Sequence, residues 1–148
     1  MGVGAPWLPV RRRDIIDAFA LVNVGPSDTV IDLGSGDGRL LVAAAEKGAR
    51  VIGYELNPFL VWWSKRALSR FGARATVVRK DLRTVNLSEA TVVFIFGITD
   101  LMPKITEMVR RDGCSGLMIV SFAFALPGFT SVAERGIVRV YRKEGERK

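Results

Sequence analysis

The sequence contains no histidine, no glutamine and a single cysteine, Cys114. Without histidine there is no Ser-His-Asp triad, no imidazole base and no His/Cys zinc site. A lone cysteine cannot close an internal disulfide. No apolar run reaches the roughly 20 residues that span a bilayer. The first ten residues also lack the charged start and apolar stretch of a secretory signal. The expected location is therefore the cytoplasm. Acidic residues are scarce as well, 15 Asp and Glu against 22 Lys and Arg, for a net charge of +7. That balance suits an anionic partner such as nucleic acid or an acidic membrane face. Cations spread along an arginine-rich chain are equally what genomic bias or a thermal habitat produces.

What is present suffices for a core. At 148 residues, 49% hydrophobic and 25% charged, the chain has the size of one ordinary domain and buries roughly 70% of its surface on folding. A single domain over 1–148 is expected, with an arm and helix over 1–24 and a charged tail over 143–148. Pro6-Trp7-Leu8-Pro9 reads as an extended arm. From Arg11 to about Val22, Ile15, Ile16, Phe19 and Val22 recur at helical spacing, with Asp14 and Asp17 on the opposite side.

Beyond Gly25-Pro26 the chain alternates. Strands are expected at 29–33, 51–55, 76–78, 91–96 and 116–124, and helices at 40–47, 58–70 and 99–111. A hairpin is expected from 129–133 and 137–141 around Glu134-Arg135-Gly136. Strands alternating with helices imply an α/β fold, a mostly parallel sheet with crossover helices and a C-terminal antiparallel hairpin.

The most informative segment, Asp32-Leu33-Gly34-Ser35-Gly36-Asp37-Gly38, joins the first strand to a helix. Glycines there permit positive φ and let the backbone approach a ligand. Glu55 ends the next strand, where a carboxylate can accept from both hydroxyls of a ribose. The pair implies a nucleoside. Dinucleotide folds use G-x-G-x-x-G with a pyrophosphate on the helix amides, but here Asp37 lies between the last two glycines and would repel a phosphate. A ligand carrying an ammonium or sulfonium group tolerates Asp32 and Asp37, and S-adenosylmethionine has both.

The D-x-G-x-G-x-G turn followed by a strand-terminal Glu resembles the class I S-adenosylmethionine-dependent methyltransferases, which implies their Rossmann-like sandwich. The longer stretches Asp32 to Arg39 and Gly53-Tyr54-Glu55-Leu56-Asn57-Pro58-Phe59-Leu60-Val61-Trp62 resemble the lysine methyltransferases that modify the ATP synthase c subunit and the adenine nucleotide translocase. Small archaeal protein-lysine methyltransferases are similar too. They share the early proline and aromatic motif, here Pro6-Trp7-Leu8-Pro9, although Val10 and Arg11 stand where threonine and proline usually follow. Eukaryotic members carry an N-terminal membrane segment that this sequence lacks, so a bacterial or archaeal source is expected.

The resemblance implies S-adenosylmethionine as cofactor and no metal. Gly34, Ser35 and Gly36 would pass along the cofactor's methionine and ribose. Asp32 and Asp37 would face its charged end, and Glu55 would hold the ribose beside Leu56 and Asn57. Asn57 itself reads as a helix cap. Asp81 and Leu82 would meet the adenine. Phe94-Ile95-Phe96-Gly97-Ile98 is similar to the segment lining the methyl-transfer site. Phe96 would touch the cofactor, and Trp7, Phe96 and Phe122 are candidates for the acceptor channel, with Phe124 and Phe129 as further wall residues. Of the adjacent Trp62 and Trp63, one is expected in the core.

The implied reaction is transfer of the methyl group to a lysine amine of a protein, including a membrane-associated one. An RNA methyltransferase or a non-catalytic nucleoside-binding module needing a partner subunit are the alternatives, with nucleic acid the less favoured partner. A positive protein repels a cationic lysine, so an acidic mouth is expected, with Asp100, Glu107 and Glu134 as candidates.

Overall fold

The computed structural model describes residues 10–96 and 99–145. The arm with Trp7, and Gly97 and Ile98, lie outside the described residues, as do 146–148 of the charged tail. Seven strands form one sheet: β1 (Thr29–Leu33), β2 (Arg50–Glu55), β3 (Ala75–Arg79), β4 (Val92–Ile95), β5 (Met118–Phe122), β6 (Ala133–Arg135) and β7 (Val138–Arg142). Their order is β3-β2-β1-β4-β5-β7-β6. β1 pairs in parallel with both β2 and β4, and only β7 runs against its neighbours. The chain builds outward from β1 in one direction, then returns to start β4 on β1's other side. That reversal opens a crevice beyond the carboxyl ends of β1 and β4, the place where such sheets bind ligands.

Alternate residues along each strand feed two cores. Val30, Val51, Val92, Phe94, Val120 and Phe122 meet helices α1 (Arg12–Leu21), α2 (Arg39–Glu46) and α3 (Pro58–Leu68) on one face. Ile31, Leu33, Ile52, Val93, Ile95 and Ile119 meet α4 (Met102–Asp112) on the other. β4, buried on both faces, is apolar at every position, and β1 and β5 depart from this only at Thr29, Asp32 and Ser121.

Several boundaries differ from the sequence reading, each for a visible reason. α1 buries Asp14 and Asp17 and leaves Ile16 58% exposed. Asp17 pairs with Arg135 of β6 at 3.1 Å, and Asp14 accepts from the Arg11 amide at 3.3 Å. A tertiary partner for Asp17 and a local helix cap at Asp14 override the apolar periodicity. The segment expected as one helix over 99–111 starts with a 3-10 turn, Thr99–Leu101, before α4. α3 yields at Leu68 to a 3-10 stretch kinked at Gly72.

β5 ends at Phe122: the Ala123 amide still donates to the Ile137 carbonyl at 2.8 Å, but its φ of 74 turns the chain out of the extended conformation. The hairpin turns at Gly136-Ile137 rather than at Glu134-Arg135-Gly136, since Arg135 already pairs with Val138. Gly136 at φ 56 supplies the positive φ that a two-residue hairpin turn needs at its first central position.

Neither Trp62 nor Trp63 is in the core; they are 60% and 55% exposed. The inward positions of α3 are Leu60, Val61, Ser64 and Leu68. Ser64 holds the position nearest the glycine turn because a Cβ on Gly38 would already lie 3.2 Å from the Ser64 Cα. No indole fits so close a crossing.

Candidate active site

The turn leaving β1 is built from left-handed glycines. Gly34, Gly36 and Gly38 have φ of 90, 57 and 87, and a side chain at any of them would be strained. The turn is tied to β2 by the Gly34 and Ser35 amides, which both donate to the Tyr54 carbonyl at 2.9 and 3.1 Å. It is tied to α3 by the buried Ser64 hydroxyl, which donates to the Gly36 carbonyl at 2.6 Å. Gly53 makes this approach possible. A Cβ there would lie 2.6 Å from Leu41 Cδ1 and 2.8 Å from Ser35 Cβ. Ser64 and Gly53 are the supporting residues that the motif does not flag, since one reads as a polar helix position and the other as a weak strand residue. The Ser35 Oγ is buried without a hydrogen-bond partner among the described residues.

Glu55, at the end of β2, turns toward this loop. Its Oε1 accepts from the Gly36 amide at 3.2 Å, and its Oε2 accepts from the Leu56 and Asn57 amides at 2.8 and 3.0 Å. Asn57 caps α3, its Oδ1 accepting from Phe59 at 2.9 Å and Leu60 at 3.4 Å, and Pro58 occupies the first turn.

Asp32 is buried at the end of β1. Burial first, then the charges of Glu55 and Asp37, push its carboxyl up to about 8. Asp37 is held by the guanidinium of Arg39, whose Nη1 reaches the Val10 carbonyl at 3.1 Å. Asp32, Asp37 and Glu55 are thus brought together at one strand end.

Asp81 and Leu82 are placed beside the same turn, since Leu82 Cδ1 would lie 3.9 Å from a Cβ on Gly34. Asp81 accepts from the Arg83 amide at 3.0 Å, capping a short 3-10 turn, and its ion pair with Arg83 holds its carboxyl below the usual range. Phe96 follows β4 and is partly buried, with its ring 5.8 Å from that of Phe122. Phe122 is wholly buried and stacks on Phe94 as well, so it backs Phe96 from inside the core. Phe124 and Phe129 pack against the α4-side core, Phe129 edge-on to Tyr141.

The acids proposed for a mouth are not gathered. Glu107 pairs with Lys104, and Glu134 sits on the outermost strand beside Arg139. Only Asp100, in the turn after β4, lies at the carboxyl edge of the central strands.

This donor set selects a class of ligand. The carboxylates of Glu55 and Asp37 at a left-handed glycine turn disfavour a pyrophosphate and suit hydroxyls and a cationic group, whose charge would also draw the proton from Asp32. The ribose, ammonium and sulfonium of S-adenosylmethionine match that set. Among the described residues no cluster of three or more His, Cys, Asp or Glu is placed to hold a metal ion, and no helix is long and apolar enough to cross a membrane.

The family model of the ANTKMT methyltransferase domain matches residues 32–133, the span from Asp32 at the end of β1 to the start of β6. The lysine N-methyltransferase of the ATP synthase c-subunit from Mus musculus is 32% identical over 129 residues, covering 84% of this chain and 51% of that protein. The chain thus spans about half the length of that relative. A protein-lysine N-methyltransferase of Saccharolobus islandicus (strain REY15A) is 27% identical over 128 residues, 84% of this chain and 80% of that one. Among solved structures, an RNA methyltransferase from Salinibacter ruber, crystallised with S-adenosyl-L-homocysteine, superposes with a TM-score of 0.85. It is 27% identical, and the match covers 95% of this chain and 97% of the other.

Proposed function

The chain belongs to the ANTKMT methyltransferase family, with the Rossmann-like fold of such enzymes, and we propose that it moves a methyl group from S-adenosylmethionine to a lysine side-chain amine of a protein. The observation that carries the cofactor assignment is the convergence of Glu55, Asp32 and the left-handed glycine turn at the β1–β4 crevice. Lysine as acceptor rests on the relatives named as lysine methyltransferases.

When bound, S-adenosylmethionine supplies an electrophilic methyl on a sulfonium. Glu55 exchanges its bonds to the Gly36 and Leu56 amides for bonds to the ribose hydroxyls. The glycine turn would pass along the ribose and methionine, the cofactor's positive charge would favour loss of the proton that Asp32 holds below about pH 8 so that its carboxylate balances the cationic end, and Asp81 and Leu82 would take the adenine edge. The acceptor amine must be neutral, because an ammonium has no lone pair, and lysine's ordinary pKa is about 10.4. An apolar wall at Phe96 disfavours the charged form by desolvation. Displacement then needs placement more than acid or base catalysis, and the lack of histidine is no obstacle.

RNA as acceptor is the second reading, favoured by the name of the Salinibacter ruber enzyme. Incubating the protein and labelled S-adenosylmethionine with a native lysate, then identifying the labelled residue, separates the two. Methyl-lysine supports the proposal, and a labelled nucleobase replaces it.

A further inference from the structure

α3 carries a surface to which the proposed methyl transfer assigns no role. Its outward arc presents Phe59, Trp62 and Trp63 at 80%, 60% and 55% exposure. Rings grouped in this way, unlike scattered surface apolar residues, mark an interaction site. Pro58, Phe59 and Trp62 wall an open hollow of about 410 Å³.

Cations are interleaved with the rings. Lys65 and Arg66 share the arc, and the Arg66 guanidinium lies 5.6 Å from the Trp62 ring centroid. α3 contains no acidic residue. Arg79 and Lys80, where the edge strand β3 ends, extend the patch toward the active site. The Arg79 Nε donates to the Leu56 carbonyl at 2.9 Å, and the Lys80 amide donates to the Glu55 carbonyl at 3.3 Å. Among the described residues, the ion pairs of the protein leave Lys65, Arg66, Arg79 and Lys80 without a carboxylate partner.

We propose that this face binds single-stranded nucleic acid, with bases stacked on Trp62, Trp63 and Phe59 and phosphates held by Lys65, Arg66, Arg79 and Lys80. The uncompensated cations call for an anion, and the exposed rings call for flat partners. A polynucleotide offers both at every residue. A paired duplex keeps its bases stacked on one another, so the strand must be single. A bilayer fits less well. At 3.6 residues per turn Arg66 projects between Trp62 and Phe59, so rings and cations share one arc, whereas a helix lying on a bilayer sets its rings and its cations on opposite faces.

The test needs no methyl donor, so its outcome is independent of the acceptor reading. A labelled, unstructured oligoribonucleotide of about 20 nucleotides is titrated with the full chain, and anisotropy is followed at low and moderate salt. Binding should weaken as salt rises. The double variant Trp62→Ala/Trp63→Ala should lose about tenfold or more in affinity with its salt slope kept. Lys65→Ala/Arg66→Ala should shallow the slope by about 1.4. Calorimetry with S-adenosylhomocysteine should show unchanged binding in both variants, which excludes misfolding. Three results would overturn the proposal: no binding at low salt, wild-type affinity in the double tryptophan variant, or binding to phosphatidylcholine–phosphatidylglycerol vesicles that the oligonucleotide does not compete away.

Discussion

Two carboxylates at the ends of adjacent strands have opposite tasks. Glu55 accepts three backbone N–H bonds and is proposed to accept ribose hydroxyls instead when the cofactor binds. Glu55→Ala should weaken S-adenosylmethionine binding by about 1.5–3 kcal/mol, the range of charge-assisted hydrogen bonds, as read by calorimetric titration. Asp32 is buried and its carboxyl is pushed from an ordinary value of 3.8 to about 8. The folded state therefore keeps a proton between about pH 4 and pH 8 that the unfolded chain has released. Stability in the free protein should fall as pH rises through that window, by up to about 1.4 kcal/mol per unit. Denaturant unfolding at several pH values measures the slope, and Asp32→Asn should flatten it. A slope that Asp32→Asn leaves unchanged would place the titration elsewhere.

At the scale of elements, the site is a junction of β1, β2 and α3 drawn together by small residues. Gly53→Ala places a Cβ 2.6 Å from Leu41 Cδ1 and 2.8 Å from Ser35 Cβ. It should destabilise the protein by about 1–3 kcal/mol through overpacking and weaken cofactor binding by displacing the turn. Thermal unfolding and calorimetry on the same variant check both effects. Much of this junction was legible in the chain. Thr29–Leu33, the glycine turn, Glu55 and the Asn57-Pro58 cap are local signals, and each falls where its residue types predict.

What was illegible depends on partners distant in sequence. Asp14 and Asp17 read as a solvent face, yet Asp17 faces Arg135 across more than a hundred residues. Trp62 and Trp63 read as half core, yet the inward positions of α3 are Leu60, Val61, Ser64 and Leu68, so both rings face outward. The placement of β7 between β5 and β6 likewise follows from pairing, and a hairpin signal does not specify which strand lies inward.

For the whole molecule, the lysine methylation proposed above requires a sheet reversal, a glycine turn and an apolar wall to act together in delivering a neutral amine to a bound methyl donor. Phe96→Ala should lower the methyl-transfer rate more than it lowers cofactor affinity, because the ring, backed by Phe122 at 5.8 Å, is proposed to shape the acceptor channel as well as to touch the cofactor. The most direct test is a single turnover with labelled S-adenosylmethionine and the acceptor found in lysate, followed over pH, with amino-acid analysis of the product. The predicted result is methyl-lysine, formed at a rate that rises with pH until the bound amine's lowered pKa is passed. Label in arginine, glutamine or a nucleobase would contradict the lysine assignment.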